Sequence, residues 1–451
     1  VCLAFLLLGG CRAHRLVAPE PLPVADVRLS EGGEVQVVDR WWTAFADPQL
    51  DALVDEALAH NLDVRAAYAR LDAADALLRS RRSVFFPEVG AFASSAIGTD
   101  DRFDGVQRVP VEIGVGASYE FDLWGRLRAE VRGQARRRDA TAADAQTAAL
   151  SVSAAIVSTW LDLAATREQL ALLEGQIVAN EQMAAIVRSR VLNGVVRQAD
   201  ALRQDRLVEQ TRAEQVARQE DLQILRHRLA VLLGRSPRDV PDEPDRLPVP
   251  PALPATGLAS ELLLRRPDVR AAHATLQAVD ADLAVAVADL YPRLSLRADV
   301  SNAPASAEAL LTGWIASLAA DLAAPLLEGG RRRAEVARRR ALREAEIAAY
   351  GDVVLRALAE VEDALVGNAR QAETVALVDR QVELAGRTAD GLQLQYVGGL
   401  DVGYLDVLTA QTTEQQLRRQ QISARRRLLE LRVALYRALA GGMDRPGGTD
   451  G

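Results

Sequence analysis

The chain has 451 residues, 49% of them hydrophobic, with a formal net charge of −8 and no lysine, so that all 54 basic residues are arginine. That size and apolar content can bury a core and exclude a disordered chain, and the interspersed, net acidic charge excludes nucleic acid as an expected partner. Cysteine occurs only at Cys2 and Cys11 and the four histidines are scattered, which excludes a disulfide framework and a metal site legible in sequence. No phosphate loop or nucleophile elbow is present, and polar residues follow structural periodicities, so an enzyme is not expected.

The first stretch, VCLAFLLLGGC, is an apolar run too short to span a bilayer and reads as part of a signal peptide over residues 1–10. Small residues before Cys11 resemble a lipobox, so Cys11 is expected to carry covalent diacylglycerol and palmitate and to tether residues 11–46 to outer membrane lipid; no other cofactor is expected. From there the chain is written twice. Gly125-Arg126 opens GRLRAEV and Gly330-Arg331 opens GRRRAEV, 205 positions later; Asp63-Val64-Arg65-Ala66-Ala67 recurs at Asp268, Phe86-Pro87 at Tyr291, and Asn193-Gly194 at Gly398-Gly399, all at that offset. One register kept over that span means tandem duplication. The repeats are 47–234 and 257–440, separated by a linker, 235–256, rich in proline; a tail, 441–451, is expected to be disordered.

Each repeat predicts the same elements in order. A helix runs from Pro48 to Phe86 in one and from Glu261 to Tyr291 in the other. Two strands follow, about 88–97 and 110–123, then about 293–301 and 314–326, because apolar and polar residues alternate there. Gly114 and Gly116 fall inside that alternation, where small inward residues explain them better than a phosphate loop does. Long helical hairpins close each repeat, about 126–233 and 330–439, turning at Asn193-Gly194 and Gly398-Gly399. The seven-residue series Ala149, Ile156, Leu163, Leu170, Ile177, Ala184, Val191 predicts coiled-coil packing, as does Val354, Val361, Asn368, Val375, Val382, Ala389, Tyr396. Four strands cannot close a membrane barrel, so copies of the chain have to pool theirs.

SYEFDLWGRLRAEV from Ser118 and APLLEGGRRRAEV from Ala324 resemble the strand-to-helix junctions of TolC-type outer membrane efflux proteins, in particular the lipid-anchored branch serving resistance-nodulation-division pumps. WWTAFADPQLDALVDEALAHNLDVRAA from Trp41 and RRPDVRAAHATLQAVDADLAVAVADLYPRLSL from Arg265 extend the likeness over residues 11 to 440. The resemblance implies a mainly α protomer with membrane β-strands, and a homotrimer whose twelve-stranded β-barrel continues into a long periplasmic α-helical barrel with a mixed equatorial belt. It implies the exit duct of a tripartite pump in a Gram-negative outer membrane, joined to a periplasmic membrane-fusion adaptor and an inner-membrane transporter. It implies a periplasmic gate at the helix tips: Asp406 matches the gate aspartate, Thr409 stands where a second carboxylate occurs, and Asp200 and Tyr396 match members of an interhelical latch. The family's latch arginine is absent, since Gly399-Leu400-Asp401 stands there, which leaves Arg197 and Arg203 as alternatives. Gly194-Val195 and Gly399-Leu400 are expected to meet the adaptor. Three other readings stay open at this stage: a duct for type I protein secretion, a duct for metal ions, and a lipid-anchored coiled-coil adaptor or scaffold.

Overall fold

A computed structural model describes residues 40–95, 97–99, 106–108, 111–239, 241–255, 265–303 and 312–441. Cys11, the signal segment and the tail beyond residue 441 lie outside them. The described residues divide into two compact units: those within 69–142 and 271–353, and those within 40–68, 143–270 and 354–441.

The first unit holds an antiparallel sheet. Its strands are β1 (Glu88–Ser94), β4 (Glu112–Phe121), β5 (Arg293–Asn302) and β6 (Ile315–Ala323), in the order β1-β4-β5-β6, while β2 (Ile97–Thr99) and β3 (Val106–Arg108) pair with each other. β1 therefore stops short of its expected end at 97, and β2 and β3 form a small ladder of their own. The two inner strands, β4 and β5, come from different repeats, with Ala117 opposite Ala298 and Tyr119 opposite Leu296. Register sorts the side chains by face. One face carries Val89, Ile113, Val115, Tyr119, Phe121, Leu294, Leu296, Val300, Leu318 and Leu322; the other carries Glu88, Gly90, Phe92, Glu112, Gly114, Gly116, Ser118, Arg297, Asp299, Ser317 and Asp321. Val89, Val115, Val300, Leu318 and Leu322 are exposed, and among the described residues neither β1 nor β6 has a partner on its outer edge. A sheet with a bare apolar face and two open edges is not finished in water.

Helices follow the strands through a glycine with positive φ: Gly125 before α3 (Arg126–Leu192), and Gly329 and Gly330 before the equivalent helix Arg331–Val397. Asp122 receives the amide N–H groups of Leu127 and Arg128 at 3.0 Å and so caps α3. Arg126 lies 2.9 Å from Glu120, and Arg331 lies 3.1 Å from Glu328. The duplication is also visible in ion pairs. Arg138 on α3 meets Asp75 at 2.7 Å, and 205 residues on, Arg343 meets Asp280 at 2.9 Å.

In the second unit the expected single helix over 48–86 is broken in two, α1 (Pro48–His60) and α2 (Leu62–Arg82). Asn61 is the cause: its Oδ1 accepts from the amides of Asp63 and Val64, its Nδ2 donates to Leu232 O, and its own backbone leaves the helical region. α4 (Gln198–Leu232) returns along α3; α5 (Pro267–Ala288) precedes β5; and α6 (Arg331–Val397) and α7 (Tyr404–Leu439) form the second hairpin. α3 buries Ala149, Ile156, Leu163 and Ala184 as expected and leaves Leu170, Ile177 and Val191 half-buried, while a parallel series three positions on, Val152, Thr159, Thr166, Leu173, Asn180 and Val187, is buried throughout. The linker is not loose: Arg226 pairs with Glu243, Arg432 donates to Pro251 O, and Tyr436 donates to Ala252 O at 3.1 Å.

Candidate functional site

Both hairpins turn the same way. Gly194 and Gly399 have φ of 71° and 81°, which a side chain would disfavour, and each closes a Schellman motif. Gly194 N–H donates to Val191 O and Val195 N–H to Arg190 O, each at 2.9 Å; Gly399 N–H donates to Tyr396 O and Leu400 N–H to Gln395 O. Val195 and Leu400 are exposed. The turns thus present an apolar side chain next to a glycine, twice.

Above them lies a compact cluster of Met183, Val187, Ala201, Tyr396, Tyr404 and Val407. Tyr396 is 1% exposed, and its hydroxyl has no hydrogen-bond partner among the described residues. Arg190 stacks on its ring at 4.1 Å and donates to the backbone carbonyls of Tyr396 and Val397. Those carbonyls end α6; Tyr396 O already accepts from Gly399 N–H, so the arginine adds a second donor there and meets the negative helix end. Tyr404 donates its hydroxyl to Gln204 Oε1 at 2.9 Å. Burial, and then the Asp200 carboxylate, push the Tyr404 hydroxyl pKa up, so it stays a donor at any physiological pH.

The four residues expected at the gate are not one group. Asp200 is used within its own helix: its Oδ2 accepts from Arg197 N–H at 3.3 Å and its Oδ1 from Arg203 at 2.8 Å. Tyr396 is in the cluster. Asp406 and Thr409 are exposed on the first turns of α7; Thr409 donates to Leu405 O, and Asp406 makes no ion pair among the described residues. Of the two alternative arginines, Arg203 pairs with Asp200 and Arg197 stands exposed at the start of α4. The cation on Tyr396 is a third one, Arg190, which the sequence reading missed. Its signal was its place in the last turn of α3, but its acceptors belong to the other hairpin.

The sequence reading also missed a buried amide layer higher on the same helices. Asn180 Oδ1 accepts from Gln411 at 2.8 Å and from Gln415 at 2.7 Å, while its Nδ2 donates to Thr211 at 3.0 Å. Gln204 donates to Asn180 O, which ties the layer to Tyr404 below. One polar network therefore joins α3, α4 and α7.

The sequence profile of the outer membrane efflux proteins matches residues 53–235 and 258–441, one match to each repeat. The chain belongs to this family. This efflux protein is 30% identical to the pyoverdine export outer membrane protein OpmQ of Pseudomonas aeruginosa, over 97% of its own length and 95% of the relative's. It is 29% identical to nodulation protein T of Rhizobium leguminosarum bv. trifolii, with 90% and 89% covered. Its fold superposes on the outer-membrane channel OprN with a TM-score of 0.84 at 28% identity, covering 95% of this chain and 99% of that one. The protein is accordingly an outer membrane efflux channel, a conduit and not an enzyme.

Proposed function

We propose that this efflux protein acts as a homotrimer, whose three sheets close into a twelve-stranded barrel, and that it is the exit duct for small molecules. An inner-membrane resistance-nodulation-division transporter and a periplasmic membrane-fusion adaptor would supply them. The observation that carries this is the sheet: bare apolar residues on one face, mainly charged and small residues on the other with Phe92 and Ile315 among them, and two edges unpaired among the described residues. Edge-to-edge closure satisfies the strands, turns the apolar face to lipid, and leaves the polar face wet. Gly194-Val195 and Gly399-Leu400 are the adaptor contacts in this reading, because they are exposed and rigidly turned. Asp200, Tyr396, Asp406 and Thr409 form the gate region, with Asp406 supplying the carboxylate that a threefold axis would make into a ring. Acyl chains on Cys11 add a second hold on the membrane.

The test is the detergent-extracted protein in a planar bilayer, with the oligomer mass taken on the same preparation. A trimer with discrete currents, whose conductance or cation preference changes in Asp406→Ala, is the expected result. A monomer without conductance refutes the duct, and unchanged currents in Asp406→Ala remove that residue from the gate.

A further inference from the structure

Gly114 sits mid-strand, where glycine weakens a ladder, so a specific neighbour should require it. That neighbour is Phe92. It lies directly opposite Gly114 in the register, and a side-chain carbon on Gly114 would come within 2.6 Å of the ring and 2.8 Å of Val300 O. Among the described strand residues of this face, Phe92 is the one aromatic side chain, among Glu88, Ser118, Arg297, Asp299 and their like. The ring is seated on bare backbone but remains 39% exposed. Beside it Gly116 leaves a notch: its absent Cβ would lie 3.9 Å from the ring edge and 4.0 Å from Asp299 Cβ. The Asp299 carboxylate is fixed by Ser317, 2.7 Å away.

We propose that Phe92, the notch at Gly116 and Asp299 form a contact site for amphipathic organic cations leaving along the strand-walled passage. An aromatic face attracts cations and apolar groups alike, and a carboxylate at the same notch adds the charge. The inference rests on the duct reading, in which this polar face lines the passage and three copies set three rings at one level. The competing explanation is that the ring merely covers the glycines, as aromatic residues do on exposed strands.

The test is block of single-channel current by tetraphenylphosphonium, with tetramethylammonium as the cation lacking an aromatic body. Phe92→Ala should raise the half-blocking concentration of tetraphenylphosphonium about three- to tenfold, the range expected for losing one aromatic contact, and raise that of tetramethylammonium by less, because that cation loses only the cation–π part of the contact. Phe92→Tyr should retain block. Gly116→Ala adds a methyl group where the nearest atoms are 3.9 Å away, so it fills the notch without disturbing the strand, and should also weaken block. Equal block in the wild type, Phe92→Ala and Gly116→Ala, all as conducting trimers, would overturn the site and favour glycine cover alone. A wild type that passes no current would instead sink the duct reading and this inference with it.

Discussion

Removing the guanidinium of Arg190 should loosen the hairpin tips. Arg190 stacks on Tyr396 at 4.1 Å and donates to two carbonyls at the end of α6. A partly desolvated cation–π contact is worth about 1–2 kcal/mol. A hydrogen bond from a charged donor adds about 1.5 kcal/mol or more, though the two terms share one side chain and do not sum. Taking about 2 kcal/mol for the whole contact, Arg190→Ala would favour any state in which the tips part by roughly 30-fold per protomer. Arg190→Lys keeps the charge but loses the planar stack, so it should fall between the wild type and alanine. Open probability in planar bilayers reads the effect directly. Tyr396→Leu supplies the second arm of a double-mutant cycle. The reasoning predicts that the double variant opens no more than Arg190→Ala alone; additivity within about 0.5 kcal/mol would show that the two residues do not act together and refute it.

Asn180→Leu should cost about 2–4 kcal/mol, because Gln411 and Gln415 would lose their shared acceptor inside the bundle; faster proteolysis of the hairpins and a lower Tm would register it, and an unchanged Tm would count against a cooperative layer. Asp162 predicts a pH effect. Burial, and Glu430 behind it, raise its pKa above the ordinary 3.8 against the pull of Arg426 and Arg228. A raised carboxyl contributes stability that is present below pH 3.8 and is lost as the pH climbs through the folded-state value. Asp162→Asn should therefore match the wild type below that pH and gain on it above, by at most about 1.4 kcal/mol per pH unit within the window. Melting curves from pH 3.5 upward would test this, and a gap independent of pH would contradict it.

The strands and hairpins were legible because their signals are local and periodic. Val111 to Leu123 alternates, and Gly194 and Gly399 mark turns that only a residue tolerant of positive φ can make. The break at Asn61 was not legible, since asparagine inside a helical pattern becomes a cap only when Leu232 O is there to hold its amide. The α3 seam was legible in part: the named series is half-buried at Leu170 and Ile177, while the parallel series through Thr159, Thr166, Leu173 and Asn180 stays buried, and its threonines and asparagine carry no apolar signal. Arg190 was missed because its role is defined by carbonyls 206 and 207 residues away.

The duplication explains where the fold is symmetric and, by its failures, where the candidate site is. Asp75 with Arg138 and Asp280 with Arg343 are the same ion pair made twice, as expected of a scaffold that needs it in both repeats. At the tips the 205-residue correspondence breaks. Arg190 corresponds to Gln395, Val191 to Tyr396, Ala199 to Tyr404 and Ala201 to Asp406. The first hairpin supplies the stacking cation and the amide acceptor, Gln204; the second supplies both tyrosines and the exposed carboxylate. Two identical hairpins would meet each other through like residues and could not form the Arg190–Tyr396 contact. In the gate reading proposed above, the divergence makes the two hairpins unlike halves of one latch, which opens when one hairpin moves while the other stays packed.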